Sequence, residues 1–481
     1  MDDRYEHFYV GGEWVRPSSG RVITPVNPST ETVLGSVPEA LEADIDTAVE
    51  AARRAFDERG GWASWDPGRR AAVMERLATE MEARADRIAE YVSLQNGMPI
   101  TMSRQLEVGY PTEVLRYYAR LARTGGFSEV RPGLMGGPVE VRQVPVGVVA
   151  AIVPWNYPQV LSMFKIAPAM AAGCTVVLKP SPEAVFDSFL VAEAAEAAGV
   201  PAGVLNIVPG GREAGAHLVS HPGVDKVAFT GSTPAGRAIA ETCGRLLRPV
   251  TLELGGKSAG IILDDADLSP ATIGEALVRV TLTHSGQTCH LSSRILAPRS
   301  RCTEVVDLLT DIARGLPIGD AMDENTLIGP LTTAQQRERV EGYIAKGRSE
   351  GARVTTGGGR PAGLDRGWFM EPTVFADVDN GSVLAQEEVF GPVVCVVPYD
   401  DVDDAVRIAN DSDYGLGGTV WTTDPERGAA VARRVHTGTI GVNRYLPDPA
   451  APFGGTKASG LGSELGPEGL RSYLRPQSIY L

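Results

Sequence analysis

Apolar and polar residues along this chain switch spacing repeatedly, and each spacing predicts an element. Ala48, Val49, Ala52 and Ala55 recur on or near one helical face and predict a helix over 44–56. Pro67 suits a first helical turn and opens a second helix over 67–89. Met98-Pro99 breaks the next segment, and Val114, Leu115 and Tyr118 predict a third helix over 107–121. Ahead of these, 8–15 and 22–27 read as short strands with Gly11-Gly12 between them, and Asn27-Pro28-Ser29 as a turn. The first third is therefore largely helical.

From 146 onward the pattern changes. Near-continuous apolar runs at 146–153, 175–178, 204–208, 226–229 and 250–254 alternate with helices at 162–172, 186–198, 212–219 and 234–246. Apolar strands separated by amphipathic helices signal a parallel sheet covered on both faces, here of the dinucleotide-binding kind. The second half repeats the style less regularly. Strands are expected at 259–263, 291–297, 393–397, 418–421 and 439–442, and helices at 268–282, 303–314, 334–346, 402–410 and 425–435. Gly357-Gly-Gly359 and Pro361 mark a surface excursion. Two α/β domains follow, with the cleft between them as the default site. Between the helical third and the first strand of the series, 139–144 alternates behind Gly133, Gly136, Gly137 and Pro138. This reads as a hairpin arm with 474–481 as its closing strand; two ordinary surface strands are the blander reading.

The 481 residues exceed one usual hydrophobic core, and 43% hydrophobic residues suffice to fill two or three. The formal charge of -15 argues against nonspecific binding to nucleic acid or anionic membranes. Helix N-termini can still hold an anionic cofactor. Five cysteines, without a CxxC pair or a His-Cys cluster, indicate neither a disulfide framework nor a metal site. The N-terminal stretch is charged, and no apolar run reaches membrane-spanning length, so the expected compartment is the cytoplasm.

Candidate chemistry gathers around Cys289, in a polar stretch between a predicted helix and a predicted strand, where a thiol can face a ligand. Thr251-Leu-Glu-Leu-Gly-Gly-Lys257 places Glu253 at a strand end, opposite in direction to its apolar neighbours and before two glycines. Pro154-Trp-Asn-Tyr-Pro158 holds Asn156 between two stiff residues. A nucleophile, a carboxylate and an amide donor suffice for acyl chemistry at a carbonyl. Taken singly, each is weak: a lone cysteine is usually inert packing and a lone glutamate usually solvated. Thr230-Gly-Ser-Thr-Pro-Ala-Gly236 follows a strand and opens a helix whose free amides would favour a pyrophosphate, although it is not a Gly-x-Gly-x-x-Gly string.

Together with Gly286-Gln-Thr-Cys289 and Glu387-Glu-Val-Phe-Gly-Pro392, and in this order, these strings resemble the aldehyde dehydrogenase superfamily over nearly the whole chain. The resemblance implies an α/β fold with a Rossmann-type nucleotide-binding domain, a second α/β catalytic domain and a small oligomerisation sheet. The implied bounds are 1–123 and 146–254 for the NAD(P) domain, 255–443 for the catalytic domain and 124–145 with 473–481 for the arm. Residues 444–472 then form a variable substrate loop and the return to the cofactor domain. By motif match, Cys289 is the nucleophile, Asn156 and the Cys289 amide bind the oxyanion, and Glu253 activates water. Lys165 and Glu464 stand behind them, with Ser463 where an arginine is common. Gly231 and Ser232 lie near the pyrophosphate, Lys179 meets the adenosine ribose, and Glu388 meets the nicotinamide ribose. Phe390, Ile152, Pro154, Trp155 and Leu254 complete the cofactor trench. Tyr157, Phe164, Thr288, His290 and Phe453 line the substrate tunnel, with Tyr445 and Leu446 at its mouth. His290 shapes the pocket rather than forming a triad, since adjacent residues rarely face each other.

The chemistry suits the residues. Thiolate addition to an aldehyde gives a thiohemiacetal, which can release hydride to a nicotinamide and leave a thioester for water to cleave. The expected substrate is a medium aliphatic or aromatic aldehyde and the expected cofactor NAD. Pro182 replaces an acid common in NAD-preferring members, so NADP stays open. A semialdehyde- or betaine-aldehyde-specific dehydrogenase and a CoA-acylating member are the other enzymatic readings. A catalytically silent protein on this fold is the non-enzymatic one. The expected assembly is a homotetramer, a dimer of dimers, with a dimer as the alternative.

Overall fold

The computed structural model describes residues 3–481. Met1 and Asp2, at the head of the charged N-terminal stretch, lie outside the described residues. The five apolar runs after 146 form the centre of an eight-stranded sheet. Its order is Gly460–Leu461, Val250–Glu253, Lys226–Thr230, Val148–Ile152, Thr175–Lys179, Leu205–Ile207, Phe8–Val10 and Glu13–Val15. The central five pair in parallel, and both flanks are closed by antiparallel pairs. Val148–Ile152 is buried along its length, with separate apolar clusters on the two faces of the sheet. Ile152 is level with Lys179 on one side and Phe229 on the other, and Thr230 is level with Glu253. The carboxyl ends of the strands thus bring Ile152, Lys179, Thr230 and Glu253 to one edge. The crevice beside a central strand, where chain order reverses, is where such sheets hold ligands.

The second sheet has seven strands, in the order Arg353–Thr356, Thr373–Ala376, Val393–Tyr399, Arg294–Pro298, Ala259–Ile262, Gly418–Trp421 and Gly441–Val442. Its first two strands were not anticipated. The strand expected at 291–297 begins at Arg294, because Ser292 and Ser293 instead bond Val280 and Leu291 within the loop behind Cys289.

Several expected elements differ. The helix over 67–89 is two, Pro67–Glu82 and Ala85–Asn96. Arg84 leaves helical geometry, and its guanidinium satisfies the carbonyl of Glu80. The helix over 107–121 is the end of a longer run, Ile100–Arg104, a wide turn at Gln105–Gly109, then Tyr110–Thr124. Pro111 has no N–H for the carbonyl four residues back, so the ladder widens there. The helix after Asn156 starts at Pro158 rather than 162, since a proline at the first position loses no bond. Residues 8–15 fold as a hairpin about Gly11 and Gly12, both at positive φ, and 22–27 divides between two small sheets.

Ser128–Pro132, Pro138–Pro145 and Leu474–Tyr480 form a separate three-stranded sheet, with Leu474 opposite Pro145 and Tyr480 opposite Val139. Leu134 and Met135 at the hairpin tip are fully exposed. Among the described residues, no helix is long and apolar enough to cross a membrane.

Candidate active site

The segment before Cys289 turns sharply. His284, Ser285 and Gly286 all have positive φ, and a Cβ on Gly286 would stand 1.9 Å from the carbonyl of Gly391. Glycine is therefore required there. The turn is pinned from three directions. Ser285 Oγ donates to the Gly329 carbonyl (2.8 Å), Gln287 Oε1 accepts from the Thr332 amide (3.0 Å), and the Gln287 carbonyl accepts from Asn156 Nδ2 (3.0 Å). Thr288 Oγ1 lies 2.8 Å from the Tyr157 hydroxyl. Cys289 is thus delivered half-buried, whereas Cys174, Cys243 and Cys395 are fully buried. Its thiol is not openly exposed, as the sequence suggested. Burial pushes its proton affinity well up, and Glu388 and Glu253 add to the rise.

Glu253 ends its strand with a buried side chain, and neither carboxylate oxygen has a hydrogen-bond partner. Burial raises its pKa well above the ordinary value, the neighbouring Glu464 raises it further, and Lys165 opposes both. Lys165 Nζ is 2.7 Å from Glu464 Oε1 and 2.6 Å from Thr230 Oγ1, all within the core. Asn156 is buried, and its carbonyl accepts from Asn96 Nδ2 (3.2 Å). Because an amide nitrogen carries two hydrogens, the bond to Gln287 fixes the group and leaves one donor free. Gly256 lets the chain pass, since a Cβ there would be 2.4 Å from the Cys289 carbonyl.

Aromatic rings surround this group. Phe164 packs against Phe453 (6.3 Å between centroids), and His290 stands edge-on to Tyr445 (5.0 Å) and Phe453 (6.1 Å). Burial lowers the His290 pKa to about 4, so the ring is neutral near neutrality. Leu446 is exposed. Two members were missed in the sequence. Tyr110 packs on Phe164 (5.9 Å), and its hydroxyl holds the Pro447 carbonyl (2.9 Å). The ring of His284 stands edge-on to Tyr157 (5.5 Å). Tyr110 lies one helical turn before Val114, a signal that could have placed it on the inner face.

The residues singled out for a dinucleotide line the neighbouring edge. Lys179 is buried, with Nζ bonded to the Gly210 (2.7 Å) and Pro180 (3.0 Å) carbonyls; burial lowers its pKa to about 8. Ser232 caps the Thr233–Arg245 helix through a long 3.4 Å bond, and Ser232 is exposed and Gly231 half-exposed at that helix start. Glu388 Oε1 accepts from the Gly256 amide (3.0 Å), and burial raises its pKa to about 7. A Cβ on Gly255 would lie 2.5 Å from Glu388 Oε2, so the glycine keeps that face of the carboxylate clear. Phe390, at positive φ, meets Trp155 edge-on at 5.5 Å. Pro154 is half-buried and Ile152 buried beside them. Leu254 is buried against Gly236, where a Cβ would meet it at 2.4 Å. Amides at a helix start, a buried lysine and an open-faced carboxylate are the donor and acceptor set that a dinucleotide needs. A cleft of about 620 Å³ runs along the Thr233–Arg245 helix and touches Leu254 but neither Cys289 nor Glu253.

Away from this region, Asp46 Oδ1 lies 2.6 Å from His217 Nε2 and 3.3 Å from His221 Nε2. The Gly223 amide donates to His221 Nδ1 (2.9 Å), so that ring's proton sits on Nε2, toward Asp46. The trio closes on itself as hydrogen bonds.

The family model described as "Aldehyde dehydrogenase family" matches residues 14–479. Geranial dehydrogenase of Castellaniella defragrans is 53% identical over 477 residues, 99% of each chain. The crystal structure of an aldehyde dehydrogenase from Mycobacterium tuberculosis complexed with NAD+ superposes with a TM-score of 0.97 at 46% identity, covering 100% of this chain and 99% of that one. Aldehyde dehydrogenase C of Pseudomonas syringae, complexed with NAD+ and octanal, gives a TM-score of 0.95 at 39% identity over 99% and 96%. With its cysteine, asparagine and glutamate gathered at one sheet edge, the chain belongs to the aldehyde dehydrogenase family.

Proposed function

We propose that this enzyme oxidises medium-length, uncharged aldehydes to carboxylic acids with NAD, through a thioester on Cys289. The observation that carries the reading is a half-buried thiol set beside the Asn156 amide and the unpartnered carboxylate of Glu253. Glu253, with its raised proton affinity, is a base strong enough to take a proton from the thiol or from water. The Cys289 sulfur adds to the carbonyl carbon, and the oxyanion receives the free N–H of Asn156 and the Cys289 backbone amide. Bound NAD supplies the acceptor for the hydrogen and two electrons that leave the substrate carbon. Glu253, once it has released the thiol proton to solvent, takes a proton from water, which adds to the thioester and displaces Cys289 as the leaving thiolate. The charge of Glu464 raises the basicity of Glu253, and Lys165, paired with Glu464, moderates that rise.

Lys179, Gly231, Ser232, Glu388, Phe390, Ile152, Pro154, Trp155 and Leu254 are the residues we assign to the cofactor. Glu183, beside Pro182, bears electrostatically on Lys179 while its carboxylate accepts from Ser181. An acid beside that lysine disfavours a 2'-phosphate and favours NAD over NADP. Aromatic walls at Tyr157, Phe164, Tyr445 and Phe453, with a neutral His290, favour an apolar aldehyde over a semialdehyde or a cation, and the names of the geranial- and octanal-linked relatives point the same way. We assign residues 1–123 and 146–254 to the cofactor domain and 255–443 to the catalytic domain. Residues 124–145 and 473–481 form the assembly arm of a homotetramer, 444–472 the substrate loop and return, and the compartment is the cytoplasm.

The test is absorbance at 340 nm with NAD and NADP in parallel, across octanal, geranial, benzaldehyde, succinic semialdehyde and betaine aldehyde. Strong turnover of the first three with NAD is expected, and Cys289→Ala abolishes it. Turnover confined to the semialdehyde or the cation would overturn the pocket, and unchanged activity in Cys289→Ala would overturn the mechanism.

A further inference from the structure

The Pro158–Ala172 helix begins with a proline and has no side-chain cap of its own. Its first free amide is satisfied from elsewhere. Gln159 N–H donates to Glu107 Oε2 at 2.7 Å; burial raises the proton affinity of that carboxyl well above the ordinary value, and the Gln159 and Val160 amides only partly offset the rise. Glu107 is fully buried, and its second oxygen has no partner. It sits on the wide turn Gln105–Gly109, the widening that Pro111 imposes. A second strap runs beside the first. The Gln159 side chain donates to Asp187 Oδ2 (2.6 Å), Gln95 donates to Asp187 Oδ1 (3.1 Å), and Gln95 Oε1 accepts from the Val185 and Phe186 amides.

The capped end immediately follows Asn156. Its amide reaches the Gln287 carbonyl, two residues before Cys289, and its own carbonyl is held by Asn96. A buried carboxyl that fixes the first turn therefore fixes the backbone from which the Asn156 amide is aimed. A carboxyl oxygen is a good acceptor for the free amides of a helix N-terminus, yet a fully buried acid with one bare oxygen is expensive. A capping serine at position 157 would satisfy the amide at lower cost, but position 157 carries Tyr157, which lines the pocket.

We propose that Glu107 is a positioning residue for the reaction: by capping the Pro158–Ala172 helix in trans, it holds the Asn156 amide at the oxyanion. The inference rests on the oxyanion role assigned to Asn156, and the test separates the two.

The variants are Glu107→Met, which keeps the volume and removes the acceptor, Glu107→Gln, which restores an acceptor oxygen, Asn156→Ala, and the Glu107→Met/Asn156→Ala double variant. Turnover of octanal and the dissociation constant for NAD are measured on the full-length enzyme. Glu107→Met is expected to lower kcat by roughly tenfold, the scale of a small misalignment, with NAD affinity unchanged, and Glu107→Gln to recover most of the loss. The double variant is expected to be no slower than Asn156→Ala alone, because residues acting through one another are not additive. Unchanged kcat in Glu107→Met, multiplied losses in the double variant, or NAD affinity falling in step with kcat would each overturn the proposal. Unchanged kcat in Asn156→Ala would instead overturn the oxyanion reading beneath it. Should Glu107→Met fail to fold, Glu107→Asp, which withdraws the carboxyl by one methylene, carries the same cycle with the same criteria.

Discussion

A thiol whose proton is held tightly by burial and by two nearby acids is a weak nucleophile at rest. Cys289 therefore depends on Glu253, and Glu253 on the Lys165–Glu464 pair that tunes it. The same burial acts on Glu388, whose pKa stands at about 7. In its proposed place at the nicotinamide ribose, the ionised carboxylate of Glu388 is the better acceptor for two hydroxyls, so a bound cofactor lowers that pKa. By linkage, NAD binding is strongest above pH 7 and weakens as pH falls below it, approaching about tenfold per unit. Titrating NAD binding between pH 5 and 8 should show this, and Glu388→Gln should flatten the profile. An equally steep profile in the variant would remove Glu388 from the cofactor. Cys289, Glu253 and Asn156 were singled out in the sequence by the motifs around them and the family resemblance those motifs carry, since each residue taken singly is a weak signal. Glu107 could not be, since its role depends on the wide turn before Pro111, which residue spacing does not announce, whereas Tyr110 was within reach of the helical period through Val114.

Elements were legible where the hydrophobic period was clean. The five parallel strands and the helices between them follow from apolar runs that packing on both faces demands. The break after Glu82 was invisible, because Arg84 closes a helix end by a side-chain bond that no proline or glycine announces. Arg353–Thr356 and Thr373–Ala376 escaped notice because four-residue strands beside glycine-rich loops carry little alternation. The hairpin arm was legible from its alternation, and Leu474–Tyr480 covers one of its edges. Leu134 and Met135 remain bare at its tip, apolar surface of the kind that protein contacts cover. If the arm joins subunits as proposed, replacing both with lysine should lower the molar mass measured by light scattering, while the isolated subunit keeps its fold. An unchanged mass would take the tip out of the assembly.

At the scale of the whole molecule, two α/β sheets divide the work. One brings Lys179, Thr230 and Glu253 to a single edge through strand register. The loop that precedes Arg294–Pro298 in the other carries Cys289 to that edge, and the Glu388–Phe390 segment closes beside it. Neither sheet alone holds the residues proposed as nucleophile, base and cofactor cradle, so the proposed chemistry belongs to their junction. That junction could be expected from the sequence only in outline, because side-chain contacts such as Asn156 to Gln287 join residues far apart in the chain.

The most direct test is the intact mass of Glu253→Gln after mixing with NAD and octanal. With Cys289 as nucleophile and Glu253 as the base, one equivalent of NADH forms, slowed by the loss of thiol activation but still faster than release of the thioester. The protein then gains the mass of the aldehyde less two hydrogens, and peptide mapping puts the acyl group on Cys289. A burst with no covalent adduct, or steady turnover equal to that of the unaltered enzyme, would contradict the account.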